Sequence, residues 1–207
     1  MKYHLQPNPQ WPNKVQPDVL CEKARIMAWT LFPNGVIPYV TCDATRDNGM
    51  LSFLFDITEP ESCYRGEHRH NGDPCWQDSC VEVFISSPNR GGYYNFECNS
   101  NGVALAEFGS QRQNRLQMDK AFYSAFKREL YIRSRAPHLS IIRWTIHIII
   151  PLDLVGIGDA EPVCGNLYKC ASNAQIPHYL MAFPIDTPKP DFHRPEFFRD
   201  LFNEKIV

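Results

Sequence analysis

Four stretches of this sequence alternate apolar and polar side chains with a period of two, and that pattern restricts the fold more than any other feature. Leu51, Phe53, Phe55 and Ile57 share one side of MLSFLFDI. Val81, Val83 and Ile85 do so in CVEVFI, and Tyr94, Phe96 and Cys98 in YYNFECN. LSIIRWTIHIIIP is the cleanest case, with Ile142, Trp144, Ile146, Ile148 and Ile150 on one face and Arg143, Thr145 and His147 on the other. Successive side chains of a strand point to opposite faces, so each stretch reads as a strand with one face in a core. Turn-forming runs such as RDNG, SSPNRGG and SNG separate them. ARIMAWTLF and VIPYVTCDA read as early strands, the second demoted to an edge by Pro38; VALAEFG, GNLYKCAS and HYLMAF read as later ones. Asp119 to Leu130 carries some helical spacing and reads as a short helix or an irregular excursion. The expected fold is all-β: an antiparallel β-sandwich, of jelly-roll or immunoglobulin-like layers, with little helix.

At 207 residues the chain is long enough for one full core, and sandwiches of this length are often undivided. One domain over residues 1–207 is expected, with residues 1–22, rich in Pro, Asn and Gln, as an extended lead-in. The tail PIDTPKPDFHRPEFFRDLFNEKIV reads as packed over the sandwich rim. A formal net charge of −2 with scattered basic residues provides no positive field for nucleic acid or an anionic membrane. TIHIII is too short and too interrupted to span a bilayer. MKYHLQPNPQWPNK holds no apolar run of a secretory leader, so a cytoplasmic location and export after leader removal both stay open. The eight cysteines include no CxxC pair, and Cys80 and Cys98 fall inside strand patterns, where free cysteine behaves as a small hydrophobe. The irregular spacing of Cys63, His68, His70 and Cys75 favours solvated histidines over a zinc site.

Chemistry concentrates in residues 74–102, PCWQDSCVEVFISSPNRGGYYNFECNSNG. Trp76 stands at the entrance, Glu82 follows six residues later, and Asn95, Glu97 and Asn99 share the polar face of the next strand. Pyranose rings pack their C–H faces on aromatic rings, while their hydroxyls need in-plane donors and acceptors. Ionised carboxylates make the stronger acceptors. The grouping therefore suits a ligand of hydroxyls and C–H faces. The residues alone also leave plainer readings: Trp76 as a cap on the core, Glu82 as a solvated outward residue, Asn99 as a turn former.

The sequence resembles the family 9 carbohydrate-binding modules, within the DOMON-like β-sandwich group, from about Ala24 to Phe202. WQDSCVEVFI, YYNFECNSNG, GNLYKCAS and PDFHRPEFF carry the resemblance in that order. It implies non-catalytic binding of mono-, oligo- or polysaccharide, an accessory role in glycan recognition or breakdown, and a glycoside hydrolase as partner. Two aromatic rings grip the sugar in such modules, and the match makes Trp76 one wall. Glu82 corresponds to a carboxylate that accepts from sugar hydroxyls, Asn99 to a polar contact, with Asn95 and Glu97 beside it. Relatives carry tryptophan for the second wall, where this chain offers Phe183 in HYLMAFPID, a residue that reads equally as core. No cofactor is required; structural calcium is implied by the family, with no ligands that map onto this chain.

Two rival functions share some of these signals. A glycoside hydrolase would use paired carboxylates, and Asp78 and Glu82 lie four apart on one strand face. That places them about 13 Å apart, beyond the roughly 5.5 Å of retaining and 6.5–9.5 Å of inverting chemistry. A haem-binding DOMON-like domain would draw on His68, His70, His147, Met118 or Met181, none in a ligand arrangement.

Overall fold

The computed structural model describes residues 1–5, 38–136 and 141–202. Two antiparallel sheets pack face to face. The first runs β1 (Lys2–His4), β2 (Tyr39–Asp47), β3 (Met50–Pro60), β9 (Ile141–Pro151) and β8 (Lys127–Ala136) in spatial order. The second runs β11 (His178–Met181), β10 (Cys164–Ala171), β4 (Cys80–Ser87), β5 (Gly92–Asn99), β6 (Ala104–Gly109) and β7 (Leu116–Gln117). Another short strand, β12 (Arg199–Asp200), pairs with the start of β10.

The alternating faces meet as the sequence requires. Phe53, Phe55, Ile57, Trp144, Ile146 and Ile148 of the first sheet pack with Val81, Val83, Ile85, Phe96 and Leu167 of the second, all at or near zero exposure. Burying such side chains contributes about 1.5–3 kcal/mol each. A polar tie crosses the same interior. The Lys169 ammonium lies 3.0 Å from Glu59 Oε2 and donates to His178 Nε2 at 2.7 Å, while Trp144 Nε1 donates to Glu59 Oε1 at 2.7 Å. Burial and the neighbouring Lys169 hold the His178 pKa well below its ordinary value, so a neutral imidazole receives the ammonium hydrogen.

The second sheet also buries part of its outer face. Cys80, Phe84, Tyr93, Tyr168, Cys170 and Met181 form a second apolar cluster with Ile185 and Phe192 of the tail. The Tyr168 and Phe192 rings stack at 4.1 Å, and the Tyr168 hydroxyl donates to the Phe192 carbonyl. The tail thus crosses the sheet face, where the sequence suggested the rim.

Three local expectations change. The helix α1 (Lys120–Ala125) is capped by Asp119, whose side chain accepts from Phe122 N, and it stops at Phe126, whose backbone is extended. Lys127–Ala136 is then a strand, concealed by its charges; among the described residues it borders only β9, and charged side chains suit such a position. Lys2–His4 is a strand within the supposed irregular lead-in and covers part of β2, so the strand after Pro38 lies one in from the edge. The expected strand ARIMAWTLF lies outside the described residues.

Candidate functional site

A cavity of about 400 Å³ opens on the outer face of the second sheet, between the tail and the segment joining β6 to β7. Its volume falls in the range of small-ligand pockets. Glu82, Glu97 and Cys170 lie on its sheet side, and Trp76, Tyr179 and Phe192 supply aromatic lining. Glu107, Arg112, Arg115 and Asp191 add charge around it. A larger, more open hollow of about 1090 Å³ beside α1 is lined mainly by apolar side chains such as Tyr94, Phe108, Met118 and Phe122. It lacks the buried carboxylates that give the smaller cavity its chemistry.

Trp76 sits on a single 3-10 turn, Cys75–Gln77, just before β4. Its carbonyl accepts from Ser172 N, which pins the turn to the end of β10. The indole remains 41% exposed, against 1% for Trp144, so Trp76 does not cap the core. Asp78 shapes the preceding loop: Oδ1 accepts from Arg65 at 2.5 Å, and Oδ2 from the backbone of Glu67 and His68 and from Asn99 Nδ2. Asn99 completes that knot. Its Nδ2 also reaches the His68 carbonyl, and its Oδ1 accepts from the backbone of Asn101 and Val103. Both ends of the amide have partners within the fold, and Asn99 is not among the cavity-lining residues.

Glu82 and Glu97 are directly opposite one another in the β4–β5 register, on the same face, and exposed by only 2% and 3%. Glu82 Oε1 accepts from the Cys170 thiol at 2.9 Å. Glu97 Oε1 accepts from Asn95 Nδ2 at 2.8 Å, while Glu97 Oε2, buried, finds no donor among the described residues. Burial first, then the Cys170 thiol, pushes the Glu82 carboxyl well above the usual carboxylate range. Burial and then Glu82 itself do the same to Glu97, offset only in part by the Asn95 hydrogen bond and the Arg115 charge.

Asn95 does not line the cavity; it orients what does. Its Oδ1 accepts from Arg115 Nε and from an Arg115 terminal nitrogen, at 3.1 and 2.9 Å. That guanidinium also donates to the carbonyls of Tyr93, Gln111 and Glu107, and lies 4.2 Å over the Tyr93 ring. Nearby, His193 Nδ1 is 3.0 Å from the Tyr93 hydroxyl, and burial followed by Arg115 and Arg112 lowers the His193 pKa to about 3. It is neutral at pH 7.

Phe183 is not brought to the cavity. The chain leaves β11 after Met181, and the Phe183 backbone is clamped by Asn166, whose Oδ1 accepts from Phe183 N and whose Nδ2 donates to Phe183 O. Its ring enters the main core, edge-on to Tyr3. The aromatic that HYLMAF does present is Tyr179, opposite Cys170 in the β10–β11 register. Phe192 and His193 come from the PDFHRPEFF segment, which marked the region without indicating which side chains face inward. Arg112 and Arg115 carried no sequence signal, because their loop has no periodicity.

Among the described residues, one group of side chains could ligate a metal: Cys80, Glu82 and Cys170, with ligand atoms within 4.8 Å of one another. Two thiols and one carboxylate do not fit calcium, which takes six to eight oxygens. Cys63, His68, His70 and Cys75 do not gather into such a group. Asp78, fully buried and held by Arg65 and Asn99, offers no second catalytic carboxylate to Glu82.

The chain matches carbohydrate-binding family 9 over residues 18–202. It belongs to that family. A crystal structure from Bacteroides uniformis ATCC 8492, described as a candidate carbohydrate-binding protein, is similar at TM-score 0.69 and 27% identity, covering 78% of this chain and 76% of that one. A family 9 module from Caldicellulosiruptor kristjanssonii, solved in complex with glucose, shares the fold at TM-score 0.51 and 11% identity, covering 78% and 74%. No curated protein matches the chain. The β-sandwich and a non-catalytic carbohydrate-binding function follow from the family.

Proposed function

We propose that the cavity beside Trp76 is the saccharide site of this family 9 protein. Trp76 stacks on a sugar ring, Tyr179 and Phe192 complete the apolar lining, and Glu82 and Glu97 accept hydrogen bonds from the hydroxyls. One observation carries the proposal: Glu97, whose buried Oε2 has no donor among the described residues, lines the same hollow as an exposed indole. Burying an acceptor unsatisfied costs about 1–3 kcal/mol, which a ligand hydroxyl would recover. Asn95 acts through Glu97 and Arg115, Asn99 through the Trp76 loop, and Phe183 only through the core. Glucose in the site of a module with the same fold supports a hexose-sized unit. An accessory role beside a glycoside hydrolase is the context the family suggests. A glycan array followed by calorimetry tests the reading: saturable binding to a defined saccharide set supports it, and no binding to any glycan refutes it.

A further inference from the structure

The cavity's charges are unevenly matched. Four carboxylates line it, Glu82, Glu97, Glu107 and Asp191, against two guanidiniums. Each guanidinium is close to a peripheral carboxylate: Arg112 lies 3.5 Å from Asp191, and Arg115 Nε lies 3.7 Å from Glu107 Oε2. Arg115 donates to Asn95 and to three backbone carbonyls. Lys169 points to the opposite face of the sheet, to Glu59 and His178. The two buried carboxyl groups, Glu82 and Glu97, thus face each other across adjacent strands with no salt bridge to either among the described residues, although the Arg115 charge is felt at Glu97. Ionising both would set like charges directly opposite on the sheet, so Glu82 keeps the proton on Glu97 to higher pH.

We propose, building on the saccharide reading above, that the cavity prefers a sugar carrying a free amino group over its neutral counterpart. An ammonium is a donor only, with three hydrogens and a positive charge. It answers the unpartnered Glu97 Oε2 and supplies the positive charge that lets the buried pair ionise, whereas a hydroxyl supplies one hydrogen and no charge. The aromatic lining adds to this preference, since indole and phenol faces attract cations. N-acetylation removes the charge, and a uronate would bring a further carboxylate beside two already buried.

Calorimetric titration of the full chain at pH 6.5 with glucosamine, glucose, N-acetylglucosamine and glucuronate tests the proposal. Glucosamine is expected to bind about tenfold tighter than glucose, as a charge-assisted bond outweighs a neutral one. N-acetylglucosamine should show no advantage and glucuronate the weakest binding. The glucosamine preference should persist in 0.5 M NaCl, because buried pairs are little screened. In Glu97→Gln the ratio of glucosamine to glucose affinity should fall to within about twofold, whatever the loss of absolute affinity for either sugar. Glucose binding the wild type as tightly as glucosamine overturns this inference and leaves the saccharide reading standing. Absence of binding by all four sugars overturns both.

Discussion

Replacing Glu97 by glutamine should stabilise the unliganded protein at alkaline pH and leave it unchanged at acid pH. Glu97 is 3% exposed, faces Glu82 across β4 and β5, and has one oxygen without a donor. Its folded pKa is raised by burial and by Glu82, so the native state holds its proton more tightly than the unfolded chain. Stability therefore falls as pH rises from the unfolded carboxyl value, about 4.3, through the raised folded value, and the cost is complete above it. Glutamine keeps the shape and the acceptor for Asn95 but cannot ionise. A buried polar atom left unsatisfied costs about 1–3 kcal/mol. For a chain of this length each kcal/mol moves Tm by about 2–4 °C, so a gain of about 2–12 °C is expected at pH 8. Melting curves of both proteins at pH 4 and pH 8 measure it. A Tm difference that is the same at both pH values, or a variant less stable at pH 8, would refute the reasoning about the carboxylate pair.

Two further substitutions separate fold from site. Phe183→Leu should destabilise by about 1 kcal/mol through lost core packing and leave saccharide affinity within about twofold; denaturant melts and calorimetry on one preparation check both. Lys169→Met strands Glu59 and His178 in the interior and should cost about 3–5 kcal/mol. Adding Glu59→Gln should restore part of that loss in urea unfolding, whereas strictly additive costs would show that the pair is not coupled.

The sandwich was legible because β3 and β9 alternate buried and less buried residues, while β4 and β5, though covered on both faces, keep their core-facing and polar side chains on opposite sides. The same logic located Trp144 in the core and Glu82 and Glu97 on the opposite side of their sheet from the main core. β8 escaped notice because KRELYIRSRA, at the edge, places charges where a central strand would carry apolar residues. Phe183, which the resemblance offered as the second aromatic wall, turns into the core because the chain has left β11 and the Asn166 clamp fixes its backbone there. Asn99 has the right face but is drawn into the Asp78 knot by hydrogen bonds that no spacing reveals. Arg115 reaches Asn95 from a loop with no pattern, and only folding brings 20 residues of separation into contact.

Trp76→Ala is the most direct test of the account, measured by calorimetry against the best saccharide of a glycan array. The indole is the exposed aromatic of the cavity, and the sugar is expected to pack upon it. Affinity should fall by at least about tenfold, with a far-ultraviolet circular dichroism spectrum like that of the wild type. Wild-type affinity in a folded Trp76→Ala protein would place the sugar elsewhere and contradict the assignment of this cavity.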